Sequence, residues 1–166
     1  MEILDKPQTT TVWIFSNENF EKQLDENIIG RYSKDGSYSI ITFIPHSENK
    51  IDFLKDKELL FIKSPFLSNN LSYLIIKQYL KEIKEIVDRG LPSIRRGGFL
   101  VIQTQDVRID GYIEPLAKRI IDILVNDDLW LKEIIVATKQ GLNLNSQESI
   151  DYLKIVHQYL LVYDRK

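Results

Sequence analysis

Apolar runs rich in β-branched residues alternate along the chain with stretches of helical periodicity. The clearest helix is predicted over Leu71–Val87, where apolar residues recur at three- and four-residue steps and charged residues fill the opposite face. Gly90 and Pro92 follow this stretch as stop signals. A second amphipathic helix is predicted over Ile113–Val125, and a weaker one over Asn17–Ile28. The pattern therefore indicates three helices, each set between apolar runs.

The apolar runs predict strands over Val12–Phe15, Tyr38–Ile44, Leu59–Ile62, Gly98–Thr104, Leu131–Thr138 and His157–Tyr163. Continuous apolar runs are typical of strands that are buried on both faces of a parallel sheet. From Leu59 onward strands and helices alternate, which favours an α/β fold with a mostly parallel sheet and helices on both faces. No long helix separates the last two strands, so we expect the final one to run antiparallel. A short helix near Glu148–Leu153 would fit the loop between them.

Composition narrows the class of protein. A chain of 166 residues fits a single domain, 1–166. It contains no cysteine, which excludes disulfides and thiolate metal sites, and we expect no metal site of any other kind. No apolar run approaches the roughly 20 residues needed to span a bilayer. The net charge of −2 argues against strong sequence-independent binding to nucleic acid. These features predict a soluble intracellular protein of the cytoplasm or nucleus, without a membrane segment.

Three segments carry a family likeness. Arg95–Asp106 resembles the stretch of class I S-adenosylmethionine methyltransferases in which a Gly-Gly turn feeds the fifth strand, and Leu129–Lys139 resembles the sixth strand. His157–Lys166 is similar to the ending of the DNA and RNA methyltransferases that modify exocyclic amino groups at N4 or N6. The resemblance implies a Rossmann-like methyltransferase sheet with an antiparallel last strand. Residues 59–166 would form its recognisable back half, and residues 1–58 a divergent front half.

The resemblance also implies a catalytic segment after the strand at Leu59–Ile62. The amino-methyltransferases carry a polar residue, two prolines and an aromatic residue there, and this chain reads Ser64, Pro65, Phe66 with one proline fewer. In the family the polar side chain and a backbone carbonyl hold the target amino group while the aromatic ring stacks on the base, a contact of about 1–3 kcal/mol. The missing proline shifts that carbonyl, and an error near 1 Å costs about a hundredfold in rate. The alternative is an ordinary turn at the end of a strand.

The cofactor that the resemblance implies is S-adenosylmethionine, bound in the family at a glycine-rich turn after the first strand. Glycine is needed there because it lets the backbone approach the ligand closely. The turn after Val12–Phe15 contains no glycine and offers Ser16 and Asn17 instead. Asp106 follows a buried strand at the edge where ligands bind in open α/β sheets, and it is a further candidate. Asp106 would equally serve to cap the next turn.

Arginines cluster after the strongest predicted helix. Arg89, Arg95 and Arg96 are candidates for contact with the phosphates of a nucleic acid, although arginines near the end of a helix also suit the helix dipole. The Gly97–Gly98 pair is interpreted as a structural turn, with a ligand loop as the alternative. His157 is interpreted as a strand histidine with a hydrogen-bond partner, with a catalytic base as the alternative.

The departures from the family pattern leave several functions open. The favoured hypothesis is a methyltransferase-like subunit, a pseudoenzyme, that has lost catalysis and binds or scaffolds within a nucleic-acid methyltransferase complex. It would bind no cofactor, and its partner would be a catalytic methyltransferase subunit or a second copy of itself. The alternative is an active enzyme that uses S-adenosylmethionine to methylate an amino group of a DNA or RNA base. A third possibility is a catalytic half whose partner chain supplies the cofactor turn.

Overall fold

The structure, a computed structural model, describes residues 10–45, 51–64, 71–140 and 155–166. The elements in chain order are β1 (Val12–Phe15), α1 (Phe20–Tyr32), β2 (Tyr38–Thr42), β3 (Lys57–Lys63), α2 (Tyr73–Gly90), β4 (Ile94–Thr104), β5 (Val107–Ile109), β6 (Tyr112–Glu114), α3 (Leu116–Ile123), β7 (Leu129–Lys139) and β8 (His157–Arg165). A 3-10 turn, Leu91–Ser93, joins α2 to β4.

The main sheet contains six strands in the order β2-β3-β4-β8-β7-β1. The pairs β2–β3, β3–β4 and β1–β7 are parallel, and β8 runs antiparallel to both of its neighbours, β4 and β7. The α/β fold class, with a mostly parallel sheet and an antiparallel last strand, is therefore confirmed. Because every strand but β8 points the same way, the carboxyl ends of β2, β3, β4, β7 and β1 meet at one edge, where β8 begins.

Helices cover both faces of the sheet, as predicted. One core lies between the sheet and helices α2 and α3, with Leu60, Ile62, Leu100 and Ile102 on the sheet side. The second core lies between the sheet and α1, and the neighbouring strand residues Phe61 and Val101 contribute to it. The alternation of side chains along β3 and β4 thus supplies both cores, which explains why these strands are apolar at nearly every position.

The first 58 residues add a strand to each edge of the sheet. β1 pairs with β7 at one edge, and β2 pairs with β3 at the other. Helix α1 connects the two strands across the sheet and buries Phe20, Leu24 and Ile28, the apolar stripe that the sequence predicted. The front half therefore completes the sheet at both ends.

The predicted second helix begins later than its apolar pattern suggested. Ile113 lies in the small hairpin formed by β5 and β6, where it pairs with Arg108, and α3 starts only at Leu116. Asp110 and Gly111 both adopt positive φ, at 50° and 83°, as a two-residue hairpin turn of the type I′ requires. Asp-Gly is the strongest short signal for such a turn. The hairpin was nevertheless not predicted, because strands of three residues are too short to show the two-residue period of a strand.

Two further expectations concern a short helix and a membrane segment. The short helix predicted near Glu148–Leu153 lies outside the described residues. Within the described ranges, no helix combines the length and the apolar character needed to cross a bilayer.

Candidate functional site

Polar side chains gather where the strands end at the carboxyl edge of the sheet. Ser64 follows β3, Thr104 closes β4, and Tyr159 lies near the start of antiparallel β8. Lys63 pairs with Gln103 and Thr104 pairs with Tyr159, so these three hydroxyl residues lie side by side in one row across the strands. Ser64 follows Ile62 and Thr104 follows Ile102 by two residues, and Tyr159 precedes Leu161 by two residues, so all three face helices α2 and α3. We call Ser64, Thr104 and Tyr159 the hydroxyl row.

Ser64 is held by helix α2. Its side chain is only 2% exposed, and its Oγ shares a hydrogen bond with the hydroxyl of Tyr79, which is also 2% exposed. The Tyr79 ring packs edge-on against Phe43, with ring centroids 5.6 Å apart. Burial raises the pKa of Tyr79, and the hydrogen bond with Ser64 offsets part of that rise. Tyr79 is therefore a neutral phenol, and from within the core it engages the Ser64 hydroxyl in a hydrogen bond.

Thr104 and Tyr159 continue the row. Thr104 also lowers the pKa of Tyr79, yet its buried Oγ1 forms no hydrogen bond of good geometry with any residue that the structure describes. Burial raises the pKa of Tyr159, and the negative charge of Asp106 raises it further. The Tyr159 hydroxyl lies 3.0 Å from Nε2 of His157. His157 thus has a tyrosine partner beside it, the arrangement expected of a strand histidine that is hydrogen-bonded.

Asp106 caps helix α3. Its Oδ1 accepts a hydrogen bond of 3.1 Å from the backbone N–H of Ala117 in the first turn, where Pro115 at the N-cap provides no side-chain acceptor. A carboxylate is favourable at this end of a helix because it satisfies a free N–H and complements the helix dipole. The capping interpretation of Asp106 is therefore the one that the geometry shows, and a role in cofactor binding stays a prediction.

Ser16 and Asn17 lie far from Ser64 across the sheet. They follow β1, and β1 is separated from β3 by three strands, which places the two about 19 Å apart across the sheet. Both the backbone N–H and the hydroxyl of Ser16 bond to Oε1 of Gln23, at 3.1 and 3.2 Å, while Asn17 is exposed. The structure therefore does not bring these two cofactor candidates together with Ser64.

The three candidate arginines lie at the opposite edge of the sheet. Helix α2 returns to that edge before Arg89, and the regular part of β4, Phe99–Thr104, alone spans about 17 Å between Arg95 and the hydroxyl row.

Each of these guanidinium groups also has a partner within the chain. Arg89 bonds to the Ile51 carbonyl at 3.3 Å, and Arg96 bonds to the Lys166 carbonyl at 3.0 Å. Arg95 contacts Asp35 at 2.6 Å and Glu58 at 3.5 Å. Their proposed contact with phosphates stays a prediction, and it concerns a surface remote from Ser64.

The remaining site predictions fall outside the described residues or concern metals. Pro65 and Phe66 are not among the residues that the structure describes. Over residues 10–45, 51–64, 71–140 and 155–166, no three metal-ligating side chains come together in a group that would hold an ion.

Among the described residues on the face covered by α2 and α3, the carboxyl edge therefore carries hydroxyl groups and the Asp106 carboxylate, which already caps a helix. Such a set can hold polar groups by hydrogen bonds. On the face covered by α1, Lys63 at the end of β3 contacts Glu21 at 2.8 Å and Asp25 at 2.7 Å. Tyr79 and Thr104 were missed as site residues from sequence because an aromatic on an apolar helix stripe and a threonine in a buried strand both resemble core residues. The sequence did contain one signal for this site, namely that a hydroxyl residue stands at the end of each of two successive buried strands.

The link between Ser64 and Tyr79 is testable by a double-mutant cycle. Ser64→Ala and Tyr79→Phe are each expected to lower the free energy of unfolding by about 1–3 kcal/mol, because each leaves a buried hydroxyl without its partner. The double variant should lose less than the sum of the two, and urea unfolding measures all three. Thr104→Val is the matched control, and it should cost less because its hydroxyl makes no such bond. Strict additivity of the two losses would show that the hydroxyls do not interact.

Several solved structures that resemble this chain are those of DNA methylases. No protein-family model matches the sequence, and no curated protein matches it. A candidate DNA modification methylase from Thermus thermophilus aligns with 77% of this chain and 54% of its own, with a TM-score of 0.54 and 15% identity. A structure of that protein with S-adenosyl-L-methionine aligns with 78% of this chain and 55% of its own, at a TM-score of 0.53 and 15% identity. The cytosine-N4-specific PvuII DNA methyltransferase aligns with 78% of this chain and 50% of its own, at a TM-score of 0.54 and 12% identity.

These structures share the fold of this chain, which confirms the predicted Rossmann-like methyltransferase fold. The chain spans about half the length of the proteins that it matches.

Proposed function

We propose that this chain is a methyltransferase-like subunit without catalytic activity of its own, which acts as a binding partner within a nucleic-acid methyltransferase complex. The observation that carries the proposal is the position of the Ser64 side chain. A group that holds a target amino group must be reachable by the substrate, whereas Ser64 is buried and hydrogen-bonded to the equally buried Tyr79. A serine hydroxyl oxygen has two lone pairs, so the hydrogen bond with Tyr79 does not by itself prevent Ser64 from accepting another. The burial of Ser64 is what keeps a target amino group from reaching it.

The front half supports the same proposal. A turn that cradles S-adenosylmethionine needs glycine where the backbone meets the ligand. No glycine occurs between β1 and α1, and none occurs between Gly36 and Gly90, a stretch that includes the turns after β2 and β3. Ser16, which stands at the predicted place, directs its N–H and hydroxyl to Gln23. On this proposal the chain binds no cofactor.

A partner polypeptide follows from the same reasoning. A subunit without its own cofactor or target site contributes to methylation only through contact with another protein, either a catalytic methyltransferase subunit or a second copy of itself. Because Arg89, Arg95 and Arg96 are engaged within the chain, we assign protein contact rather than phosphate contact as its main role. Such a complex would work inside the cell, where its nucleic-acid substrate is found.

An active amino-methyltransferase is the second candidate function. It is favoured by the place of Ser64, directly after a buried parallel strand, and by the shared fold of a protein whose structure contains S-adenosyl-L-methionine. On this hypothesis S-adenosylmethionine is the cofactor and Ser64 contacts the amino group of a base. Tyr79 would then have to release the Ser64 hydroxyl before the target could bind.

Isothermal titration with S-adenosylmethionine separates the two candidates. We expect no binding to the isolated chain at ligand concentrations up to millimolar, because none of the turns after β1, β2 and β3 contains the glycine that the ligand needs. Circular dichroism of the same sample verifies that the protein is folded. Micromolar binding would contradict the proposal. In that case a methyl-transfer assay of Ser64→Ala shows whether Ser64 takes part, since an unchanged rate would exclude it.

A further inference from the structure

The side chain of Tyr79 lies at the carboxyl ends of three neighbouring strands, β2, β3 and β4. Its ring packs edge-on against Phe43, which follows β2, and its hydroxyl bonds to Ser64, which follows β3. The side chain of Thr104, the last residue of β4, lowers the pKa of Tyr79, so it also lies close to the phenol. Ligands of open α/β sheets bind at this edge. A ring of the protein itself thus stands where a ligand would be expected.

Helix α2 brings this ring to the strand ends from inside the core. Apart from Tyr79, the buried residues of α2 are aliphatic or glycine: Ile76, Ile83, Ile86, Val87 and Gly90. Tyr79 belongs to the second turn of the helix, and helical side chains lean toward the amino terminus, which here lies at the carboxyl edge of the sheet. The phenol hydroxyl therefore reaches the strand ends, although its Cα lies about 9 Å along the helix axis from the first residue of α2.

The hydroxyl groups around this ring are not all satisfied by it. Thr104 is only 1% exposed, and its Oγ1 forms no hydrogen bond of good geometry with any residue that the structure describes. A buried polar group without a partner is costly, so such a group calls for a specific explanation, such as a bound water molecule or a ligand. The place therefore offers one aromatic wall and two hydroxyl groups, and Tyr79 fully satisfies only that of Ser64.

We propose that Tyr79 fills a ligand site of this chain and keeps it closed. The site lies between Phe43, Ser64 and Thr104, and it fits a small aromatic ring that carries a hydrogen-bonding group at one end. The inference deepens the proposed function and rests on it, because a ring that already fills the place beside Ser64 explains how a chain with this fold would lack catalysis. Removal of the ring should open the site to a free ligand of the same shape.

Phenol is the probe that tests this site, because it replaces the atoms that Tyr79→Ala removes. We expect isothermal titration to detect binding of phenol to Tyr79→Ala and none to the unchanged chain, in which the tyrosine ring fills the site. Benzene has the same ring without the hydroxyl group. It should bind Tyr79→Ala at least about fivefold more weakly than phenol, because it leaves the hydroxyls of Ser64 and Thr104 without a partner.

Phe15→Ala provides the matched control in the other core. Phe15 is 2% exposed, and its ring contacts those of Trp13 and Phe20 edge-on, with centroids 6.1 and 5.9 Å away. Because these neighbours are apolar rings, the cavity of this variant should prefer benzene to phenol, whose hydroxyl would be buried without a partner. A second control adds Ser64→Ala to Tyr79→Ala, and this double variant should lose the preference for phenol while it still binds benzene.

Each outcome either supports or overturns the proposal. If Tyr79→Ala is unfolded on its own, circular dichroism during the titration replaces calorimetry, since a ligand that binds the folded state also refolds it. Binding or refolding that favours phenol and depends on Ser64 supports the proposal. Neither binding nor refolding would overturn it. Equal affinity for phenol and benzene, or a preference for phenol that persists in the double variant, would overturn it as well.

The phenol experiment and the titration with S-adenosylmethionine can fail separately. Micromolar binding of S-adenosylmethionine to the unchanged chain would contradict the proposed function, whatever the result with phenol. Failure of the phenol experiment, combined with no binding of S-adenosylmethionine, would leave the proposed function standing and remove only Tyr79 as the residue that closes the site.

Discussion

Replacing Trp13 with alanine is expected to lower the free energy of unfolding by about 3–5 kcal/mol, the range for removal of a large aromatic side chain from a core. Trp13 is only 1% exposed, although it lies in a four-residue edge strand. Its ring contacts Phe15 edge-on, with centroids 6.1 Å apart, and its Nε1 donates to the Thr10 carbonyl at 2.7 Å. Urea unfolding followed by far-ultraviolet circular dichroism measures the loss.

The second tryptophan of the chain provides the control. Trp130 is 62% exposed, and its ring faces the Lys166 ammonium group, 5.1 Å from the ring centre. Trp130→Ala removes the same volume but leaves no cavity in the core, so we expect a loss below about 1 kcal/mol. Similar losses for the two variants would show that β1 is not packed into the core against α1.

The position of Trp13 bears on the cofactor question. Its burial holds β1 beside β7, and the same strand carries Ser16 and Asn17 at its carboxyl end. As long as Trp13 is packed, these residues stay beside the outer strand β1, at the other side of the sheet from β2. The packing of Trp13 therefore helps to keep the predicted cofactor residues apart from Ser64.

Gly98→Ala is expected to destabilise the protein by about 3 kcal/mol, at the upper end of the usual range for overpacking. A Cβ atom at Gly98 would lie 2.6 Å from the Glu58 carbonyl oxygen and 2.9 Å from that of Arg95. Both atoms belong to the backbone, so neither can move aside as a flexible side chain would. The same urea unfolding experiment measures the effect.

Gly30→Ala is the matched control, with an effect of opposite sign. Gly30 lies inside α1 with nothing within 4 Å of its Cβ position. Alanine is the better helix former, so this variant should gain about 0.5–1 kcal/mol. A neutral effect of Gly98→Ala would show that the backbones of β3 and β4 do not approach each other closely at Gly98.

The two glycines of the Gly97–Gly98 pair shape a bulge. Between the Lys57–Ile94 and Leu59–Phe99 pairs, β3 advances by two residues and β4 by five, so β4 bulges outward there. Gly97 adopts φ of 78°, which favours glycine, and Gly98 meets the neighbouring backbone too closely for a side chain. The bulge lies at the amino edge, away from the hydroxyl row. The interpretation of this pair as a structural turn agrees with that geometry.

The apolar pattern predicted most of the architecture because burial leaves a strong imprint on the sequence. β1 spans the predicted residues, and β3, β4, β7 and β8 extend the predicted strands by a few residues at one or both ends. Of the predicted stripe of α2, Tyr79, Ile83, Ile86 and Val87 are buried in the core. Leu74 is instead 76% exposed, and Ile76, which the pattern did not include, is buried. The β5–β6 hairpin was missed because strands of three residues show no reliable period.

The candidate site was less predictable than the fold. Ser64 and Asp106 could be identified as polar residues at strand ends, since such positions can be found from local pattern alone. Their partners could not, because Tyr79 and Ala117 reach them only after helices α2 and α3 pack on the sheet. A polar residue waiting for a ligand and one satisfied by its own fold look alike in a sequence.

The sequence by itself determined which segments form strands and helices, because side-chain periodicity records which faces are buried. Only the tertiary structure decided that β1 and β2 are the two outer strands of the sheet and that Ser64 bonds to Tyr79. It also decided that the arginines lie at the amino ends of the strands, remote from Ser64 and Tyr79 at the carboxyl ends. Strand order, register and side-chain partners depend on contacts between residues far apart in the chain. Such contacts leave no periodic trace in the local sequence.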